Sequence, residues 1–222
     1  MRSRTATSSI RQLIALFAMA FCCASVGAVE PPDGWRMVLS WSPLYCSANL
    51  TSKEPQCSEE YYFVNHGLVP FRRSGPAEKD DSCAEWDMSD ADSDRWLWVI
   101  PNKIRVRSLW RKHGSCSGLD TTQYLAAVDR GSRRIQIPER YKKVTERLDT
   151  TASAVRQAFV EANPGLTADS VDLICKGTRL SEVNICFDAA FGFRSCDAIK
   201  ECGESLRLMP IRASRIGVEP YR

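Results

Sequence analysis

The stretch from Trp96 to Leu119 reads WLWVIPNKIRVRSLWRKHGSCSGL and holds His113, one of only two histidines in the 222-residue chain. Lys112 precedes this histidine, and a cysteine follows it three residues later. The second histidine, His66, lies in the run YFVNHGLVP. Because an imidazole titrates near neutral pH, two histidines brought together across a cleft can act as base and acid in one reaction. We therefore predict that these two segments form the functional site.

The alternative interpretation is that each histidine is a hydrogen-bonded core residue. Both histidines lie in glycine-containing, aromatic-rich segments, and Lys112 neighbours one of them, so the two interpretations weigh equally at this point. Other chemistries have less support. The chain has no G-x-S-x-G turn for a serine nucleophile and no phosphate-cradling glycine loop. In an exported protein, Cys116 is expected to be disulfide-bonded rather than a free thiolate.

The first 28 residues have the pattern of a secretory signal peptide. Three arginines precede an apolar run from Leu13 to Ala28, and small residues occupy positions 26–28. We predict a signal peptide over 1–28 and a single domain over 29–222, secreted or periplasmic. The apolar run is short for a membrane span, and no second one follows, so no membrane association is expected after its removal.

Charge is balanced overall but uneven along the chain. Removal of the predicted signal peptide would leave 27 basic and 27 acidic residues, which excludes a bulk nucleic-acid condenser. Glu78 to Asp94 carries eight carboxylates against one lysine. We interpret it as a solvated loop rather than a metal site, because it lacks calcium-loop spacing. Lys103 to Lys112 carries five cations and no acid, which predicts a local anion site.

Eight cysteines follow residue 28, and an even number in an exported chain predicts a disulfide framework. A zinc site would need CxxC or CxxH spacing, which is missing here, so neither a metal nor a cofactor is predicted. Spacing alone does not choose among the many possible connectivities. The cysteines are Cys46, Cys57, Cys83, Cys116, Cys175, Cys186, Cys196 and Cys202.

Hydrophobic patterning predicts the secondary structure. Amphipathic patterns indicate helices from Asp120 to Gly131, opened by a capping box, and from Thr151 to Ala162. Gly67 and Pro70 predict a turn that leaves His66 at a strand end. Because strands and helices come in separate runs, we predict an α+β fold with a central antiparallel β-sheet flanked by helices and stapled by disulfides. The predicted strands are Arg36–Trp41, Tyr61–Val64, Ser170–Cys175, Leu180–Phe187 and Leu206–Pro210.

Both histidine segments resemble those of a known enzyme family. The run HGLVP at 66–70 resembles the first active-site segment of the ribonuclease T2 family, usually His-Gly-Leu-Trp-Pro. The run WRKHGSC at 110–116 resembles the second, usually His-Glu-Trp-x-Lys-His-Gly-Thr-Cys. The similarity also includes LSW at 39–41, WVIP at 98–101 and EVNIC at 182–186. Two such segments in order, with matching cysteines, indicate the ribonuclease T2 fold.

The resemblance implies a metal-independent endoribonuclease that cleaves single-stranded RNA and leaves 2′,3′-cyclic phosphate ends. It implies His113 as the base for the ribose 2′-OH, His66 as the acid for the leaving 5′-oxygen, and Lys112 as the cation that stabilises the transition state. The roles of the histidines exchange when the cyclic product is hydrolysed. DNA lacks the 2′-OH, so its cleavage is not expected, and a monomer without cofactor is expected.

The resemblance also implies the cysteine pairing. The implied pairs are Cys46 with Cys57, Cys83 with Cys116, Cys175 with Cys202, and Cys186 with Cys196.

Three positions depart from the family pattern. Ser108 replaces a histidine that contacts phosphate in the family, Leu109 replaces a glutamate, and Val69 replaces a tryptophan near the base-binding region. Leu109 lies four residues before His113, on the same helical face, and removes a hydrogen-bond acceptor there. Loss of the tryptophan removes a stacking surface worth about 1–3 kcal/mol per base. The aromatic residues that could take its place are Tyr61, Tyr62 and Phe71.

Other side chains could supply what the motif has lost. Ser108 can still donate a hydrogen bond, and Arg105, Arg107 or Arg111 could supply the missing positive charge. We therefore expect substrate binding by Ser108, Arg107, Arg111 and Phe71. Two interpretations stay open: an active ribonuclease, which the retained histidines and lysine favour, or a catalytically impaired protein that binds RNA or a protein partner. A disulfide-stapled inhibitor or effector without an RNA role is a third, weaker class.

Overall fold

In the part of the chain that the structure describes, a β-sheet of six strands lies at the centre, ordered β2-β1-β5-β6-β3 with β4 paired to β5. Pairing is antiparallel except between β5 and β6, which meet in parallel. This computed structural model describes residues 31–49, 51–59, 61–72, 87–100, 102–197, 199 and 202–210. The strands are β1 Gly34–Trp41, β2 Phe63–Phe71, β3 Leu148–Thr150, β4 Val171–Lys176, β5 Arg179–Asp188 and β6 Leu206–Leu208.

Within the described residues, six α-helices and three short 3-10 turns surround the sheet, so the predicted α+β fold is confirmed. The helices are α1 Ser42–Ala48, α2 Pro55–Ser58, α3 Asp90–Asp94, α4 Lys103–Lys112, α5 Thr121–Arg133 and α6 Ala152–Ala162. The 3-10 turns are Gly114–Cys116, Glu139–Tyr141 and Ala168–Ser170. The predicted signal peptide at 1–28 lies outside the described residues. Within the described residues, no helix combines the length and apolarity that crossing a bilayer requires.

Side-chain caps begin the two long helices beyond the histidine segments. The Asp120 carboxylate accepts a hydrogen bond from the Gln123 amide at 2.8 Å, and the Gln123 side chain accepts one from the Asp120 amide at 3.1 Å. This is the capping box that the sequence predicted. The Thr151 hydroxyl accepts from the Ala154 amide at 3.0 Å and begins α6 in the same way.

Aromatic side chains fill the core between the sheet and α6. The ring of Phe63 lies edge-on to Trp41 at 4.8 Å and to Phe159 at 5.8 Å between centroids. The Trp41 indole also donates a hydrogen bond to the Met209 carbonyl at 2.9 Å, which ties β1 to the chain after β6. These contacts fix the end of β1 next to β2, the strand that carries His66.

The strand predicted to end at Val64 is longer than the sequence suggested. Strand β2 continues to Phe71, so the predicted turn at Gly67 and Pro70 is wrong, and His66 lies inside a strand. Proline is tolerated because β2 is at the edge of the sheet, where a missing backbone donor need not interrupt pairing.

The predicted helix end at Gly131 is also wrong, because α5 continues to Arg133. A Cβ atom at Gly131 would lie 2.7 Å from the terminal methyl of Met37 on β1. The glycine therefore permits close packing of α5 on the sheet rather than ending the helix.

Candidate active site

A β-bulge presents His66 from strand β2. Val38 of β1 pairs with Gly67, whereas the next residue, Leu39, pairs with Asn65, so His66 is an additional residue in β2. The Asn65 side chain accepts a hydrogen bond from the Gly67 amide at 2.7 Å, and Gly67 adopts a φ of +125° that favours glycine. Bulges re-aim side chains and are frequent next to active sites. The bulge therefore takes His66 out of the regular alternation of side chains between the two faces of the sheet.

His66 is held by a polar pocket formed by α1 and α2. Its Nε2 lies 3.1 Å from Oε1 of Gln56, and the Tyr45 ring stands edge-on to the imidazole at 5.6 Å between centroids. Both Gln56 and His66 are buried. The Cys46–Cys57 disulfide joins the two helices, because Cys46 lies in α1 and Cys57 follows Gln56 in α2. The first cysteine pair therefore positions the partner of His66.

The hydrogen bonds of Gln56 determine which nitrogen of His66 carries the proton. The Gln56 amide nitrogen donates to the Glu54 carboxylate, so its oxygen faces the imidazole and also accepts from the Ser42 hydroxyl at 3.4 Å. An amide oxygen only accepts, so Nε2 of His66 must be the donor. In the neutral ring, Nδ1 therefore carries the lone pair.

His66 is neutral at pH 7 in the free protein. Burial, and to a smaller extent the positive charge of Arg105, lower the pKa of His66 from 6.5 to about 3. Arg105 lies near the pocket because its guanidinium carbon is 5.7 Å from the centroid of the Tyr45 ring. Burial and Glu54 raise the pKa of Tyr45, whose hydroxyl donates to that carboxylate at 3.0 Å.

His113 lies where α4 ends. The Asn102 side chain accepts from the Arg105 amide at 2.9 Å and begins the helix. At the other end, the His113 amide donates to the Leu109 carbonyl at 3.0 Å as the chain turns into the 3-10 segment. His113 is half-buried and Lys112 is exposed. The lysine is thus accessible to solvent beside the histidine.

Leu109 docks α4 onto the strand that carries His66. A Cβ atom at Gly67 would lie 2.2 Å from Cδ2 of Leu109, so the leucine occupies the space that the glycine leaves open. Leu109 is buried, and α4 packs on β2. The residue in the position of the family's glutamate therefore makes an apolar contact with the residue next to His66.

A second contact ties the end of α4 to β2. The Tyr124 hydroxyl of α5 donates to the Leu68 carbonyl at 2.7 Å, two residues beyond His66. A Cβ atom at Gly114 would lie 2.6 Å from both the Trp110 and Tyr124 rings, so this glycine allows the close packing. The residue after His113 is thereby packed against the tyrosine that holds the strand of His66.

Two predicted substrate-binding arginines contact acidic residues in the structure. Arg107 forms ion pairs with Asp87 at 3.0 Å and Asp90 at 2.7 Å, and Arg111 lies 3.8 Å from Asp87. The described end of the acidic segment includes the short helix α3, so that part is not the loop that the sequence predicted. Part of the positive charge predicted for α4 is therefore already neutralised by this segment.

Two other predicted binding residues lie in different places. Ser108 lies half-buried on α4 next to Leu109. Phe71 ends β2, and the Arg194 guanidinium carbon lies 4.2 Å from the centroid of its ring. Five residues of extended strand span about 16 Å, so the structure does not bring Phe71 together with His66.

Three of the implied disulfides are present in the structure. They join Cys46 to Cys57, Cys175 to Cys202, and Cys186 to Cys196. Cys116 is also disulfide-bonded, and its implied partner Cys83 lies outside the described residues. Over the part of the chain that the structure describes, no three His, Cys, Asp or Glu residues form a group that could hold a metal ion.

Curated relatives are ribonucleases that match part of the chain. A ribonuclease of Aeromonas hydrophila is 36% identical over 88 residues, which are 39% of this chain and 39% of that protein. A probable ribonuclease of Haemophilus influenzae is 26% identical over 125 residues, 50% of this chain and 46% of that protein. The chain thus spans less than half the length of these relatives. No family model matches it.

Solved ribonuclease structures share the fold over most of the chain. Trichomaglin, an S-like ribonuclease, matches with a TM-score of 0.65 at 16% identity, over 82% of this chain and 100% of that chain. RNase NT, solved in complex with 5′-AMP, matches with a TM-score of 0.63 at 19% identity, over 82% and 99%. The chain therefore has the ribonuclease T2 fold, and the resemblance of its motifs to that family is confirmed at the level of the fold.

Proposed function

We propose that this chain is a secreted, metal-independent endoribonuclease that cleaves single-stranded RNA. The observation that carries the proposal is the bulged His66, which is buried in a polar pocket and held against the helix that ends at His113. The curated relatives named as ribonucleases support the same function. Nucleotide complexes of fold neighbours, such as RNase NT with 5′-AMP, support a nucleotide-binding site on this fold.

The proposed reaction is an internal transesterification. A histidine removes the proton of the ribose 2′-OH, and the resulting oxygen attacks the adjacent phosphorus. The bond from phosphorus to the 5′-oxygen breaks as the other histidine protonates that oxygen, which yields a 2′,3′-cyclic phosphate and a free 5′-OH. The Lys112 ammonium stabilises the negative charge that develops on the phosphoryl oxygens. DNA has no 2′-OH and is not a substrate.

The state of His66 constrains how the two roles are divided. With its pKa near 3, His66 is neutral in the free protein at pH 7, so it can act as the acid only after it gains a proton in the complex with RNA. A bound phosphate supplies a negative charge that opposes Arg105 and raises the pKa of His66. The family resemblance assigns the base to His113 and the acid to His66, and with this assignment the protonation of His66 must be coupled to substrate binding.

The test is cleavage of a single-stranded RNA by the purified, disulfide-bonded protein in the presence of EDTA. We expect cleavage with cyclic phosphate ends, no cleavage of the matching DNA, and loss of activity by a factor of at least about a hundred in His66→Ala and His113→Ala. Lys112→Ala should lose activity, whereas the exposed control Lys142→Ala should not. Equal activity in wild type and both histidine variants would refute the enzyme proposal.

A second candidate function is RNA binding or partner binding without catalysis. The observation that favours it is Leu109, which fills the position of the family's glutamate with an apolar side chain packed on Gly67. In this case the wild-type protein binds single-stranded RNA but leaves it intact, in EDTA or in added divalent metal. Measurement of binding and cleavage on the same labelled RNA separates the two functions.

We also propose that residues 1–28 are removed as a signal peptide on export, which leaves one domain over 29–222. The disulfides support an oxidising compartment. Mass spectrometry of the exported protein tests this proposal, because an intact N-terminus or free thiols at the paired cysteines would contradict it.

A further inference from the structure

We propose that Arg105 binds the scissile phosphate beside His66 and replaces the cation that the family's histidine supplies at the position of Ser108. This inference rests on the proposed ribonuclease function and names a further residue of that same site. The sequence offered three arginines of this helix as sources of the missing charge, and Arg107 and Arg111 were the two expected to bind substrate. The contacts in the structure distinguish them.

The position of Arg105 on α4 directs it to the site. Arg105, Leu109 and His113 are spaced by four residues and so share one face of the helix. Leu109 in the middle of this row packs against Gly67, which shows that the row faces β2. Arg105 therefore lies one helical turn before this contact, and His113 lies one turn after it.

The side-chain contacts of Arg105 agree with this direction. Its guanidinium carbon lies 5.7 Å from the centroid of the Tyr45 ring, and the same ring lies 5.6 Å from that of His66. Arg105 and His66 therefore both lie close to the same ring, that of Tyr45. Arg105 is half-exposed, so a ligand can reach its guanidinium from solvent.

Arg105 also keeps its charge available, in contrast to its neighbours on the helix. Lys103 and Arg107 form ion pairs with carboxylates of the Asp87–Asp94 stretch. Among the residues that the structure describes, Arg105 has no carboxylate within ion-pair distance. Glu182 of β5 interacts electrostatically with Arg105 but does not form an ion pair with it.

A guanidinium in this place has the chemistry that a phosphodiester needs. It is always protonated and can donate two parallel hydrogen bonds to phosphoryl oxygens. The bound phosphate would then lie between Arg105 and the imidazole. Arginine therefore supplies the positive charge that Ser108 does not.

The test compares Arg105→Gln and Arg105→Lys with wild type in cleavage of a single-stranded RNA and in competitive inhibition by inorganic phosphate. In Arg105→Gln we expect kcat/KM to fall, and the inhibition constant for phosphate to rise, by a factor of about ten or more. The salt dependence of RNA binding should become shallower by about 0.7 in logarithmic slope. Arg105→Lys keeps the positive charge but loses the two parallel hydrogen-bond donors of the guanidinium. Its kcat/KM and its inhibition constant for phosphate should therefore lie between those of wild type and Arg105→Gln.

The control is Arg147→Gln, which removes one exposed arginine that pairs with Asp149 on β3. It should leave kcat/KM and phosphate inhibition within about twofold of wild type. Arg107→Gln tests the competing candidate. The inference would be overturned if Arg107→Gln lost as much kcat/KM as is expected for Arg105→Gln while Arg105→Gln itself kept the wild-type value. Urea unfolding of each variant checks that its fold is retained.

The outcomes separate this inference from the proposed function. If wild type cleaves RNA and Arg105→Gln behaves like wild type, the Arg105 inference fails and the ribonuclease function stands. If wild type does not cleave RNA, phosphate binding is measured by the shift of the His66 NMR signals. Arg105-dependent binding then supports the phosphate site, whereas a lack of phosphate binding overturns it.

Discussion

Acidification should lower the free energy of unfolding of this protein through His66. Substitution of that histidine by glutamine should remove its contribution. Burial and Arg105 lower the pKa of His66 to about 3, whereas the unfolded chain has a pKa near 6.5. Between these values the unfolded state binds a proton that the folded state does not. The stability that the neutral imidazole retains at pH 7 is therefore lost progressively as the pH falls through 6.5 toward 3.

The magnitude follows from the two pKa values. At pH 5 the unfolded histidine is almost fully protonated and the folded one is neutral, so the free energy of unfolding falls by about 2 kcal/mol relative to pH 7. Carboxyl groups whose pKa is lowered in the folded protein, such as those of Asp87 and Asp169, also reduce the stability of the protein in acid. These carboxyl groups are present in wild type and in His66→Gln alike, so their contribution cancels when the two proteins are compared.

The assay is equilibrium urea unfolding of wild type and His66→Gln at pH 7 and pH 5, with the disulfides kept oxidised. We expect wild type to lose about 2 kcal/mol more than the variant between these two pH values. An NMR titration of wild type should show no protonation of His66 above pH 4. Equal losses in both proteins, or a His66 titration near pH 6.5, would refute the argument that burial and Arg105 keep this imidazole neutral.

Three further predictions concern the contacts around the site. Gly67→Ala should destabilise the protein by about 2–4 kcal/mol in urea unfolding, because its Cβ would lie 2.2 Å from Leu109 at a φ that disfavours alanine; a loss below about 1 kcal/mol would contradict this. Leu109→Glu should raise the pKa of His66, measured by NMR, because it places a carboxylate next to Gly67; an unchanged pKa would show that position 109 does not face the histidine. Replacement of both Cys175 and Cys202 by serine should cost about 3.5 kcal/mol, since their bond spans 27 residues; an unchanged urea midpoint would show that this bond does not stabilise the fold.

Much of the fold could be predicted from hydrophobic patterning and from one capping box. The error at β2 has a physical cause, because Gly67 and Pro70 are turn residues by local chemistry. In the folded protein, Gly67 completes a bulge at φ +125°, and Pro70 lies on an edge strand. Gly131 similarly has the chemistry of a helix end, but its missing side chain makes room for Met37. Each error reflects a tertiary contact that local sequence does not encode.

The candidate site was predictable only where a motif marked it. His66, His113 and Lys112 stand out because histidines are rare in this chain and the lysine is adjacent. Gln56 gave no such signal, although its position beside Cys57 places it in the first disulfide loop. Gln56 contacts His66 only because α2 lies next to the bulge of β2, and no local sequence pattern predicts that packing. By sequence, Arg105 is one of three arginines on α4, and only the ion pairs of Arg107 and Arg111 distinguish it from them.

The departures at Ser108 and Leu109 act together with Arg105. A glutamate at position 109 would lie one turn from Arg105 and could pair with its guanidinium, as i and i+4 partners do on a helix. With leucine at position 109, this face of α4 carries the cation Arg105 and an apolar contact with Gly67. The charge of Arg105 then lowers the pKa of His66. The same substitution that removes an acceptor from the family pattern thus leaves an arginine free to take a phosphate. In the proposed ribonuclease reaction, His66 is neutral in the free protein and would gain its catalytic proton together with RNA.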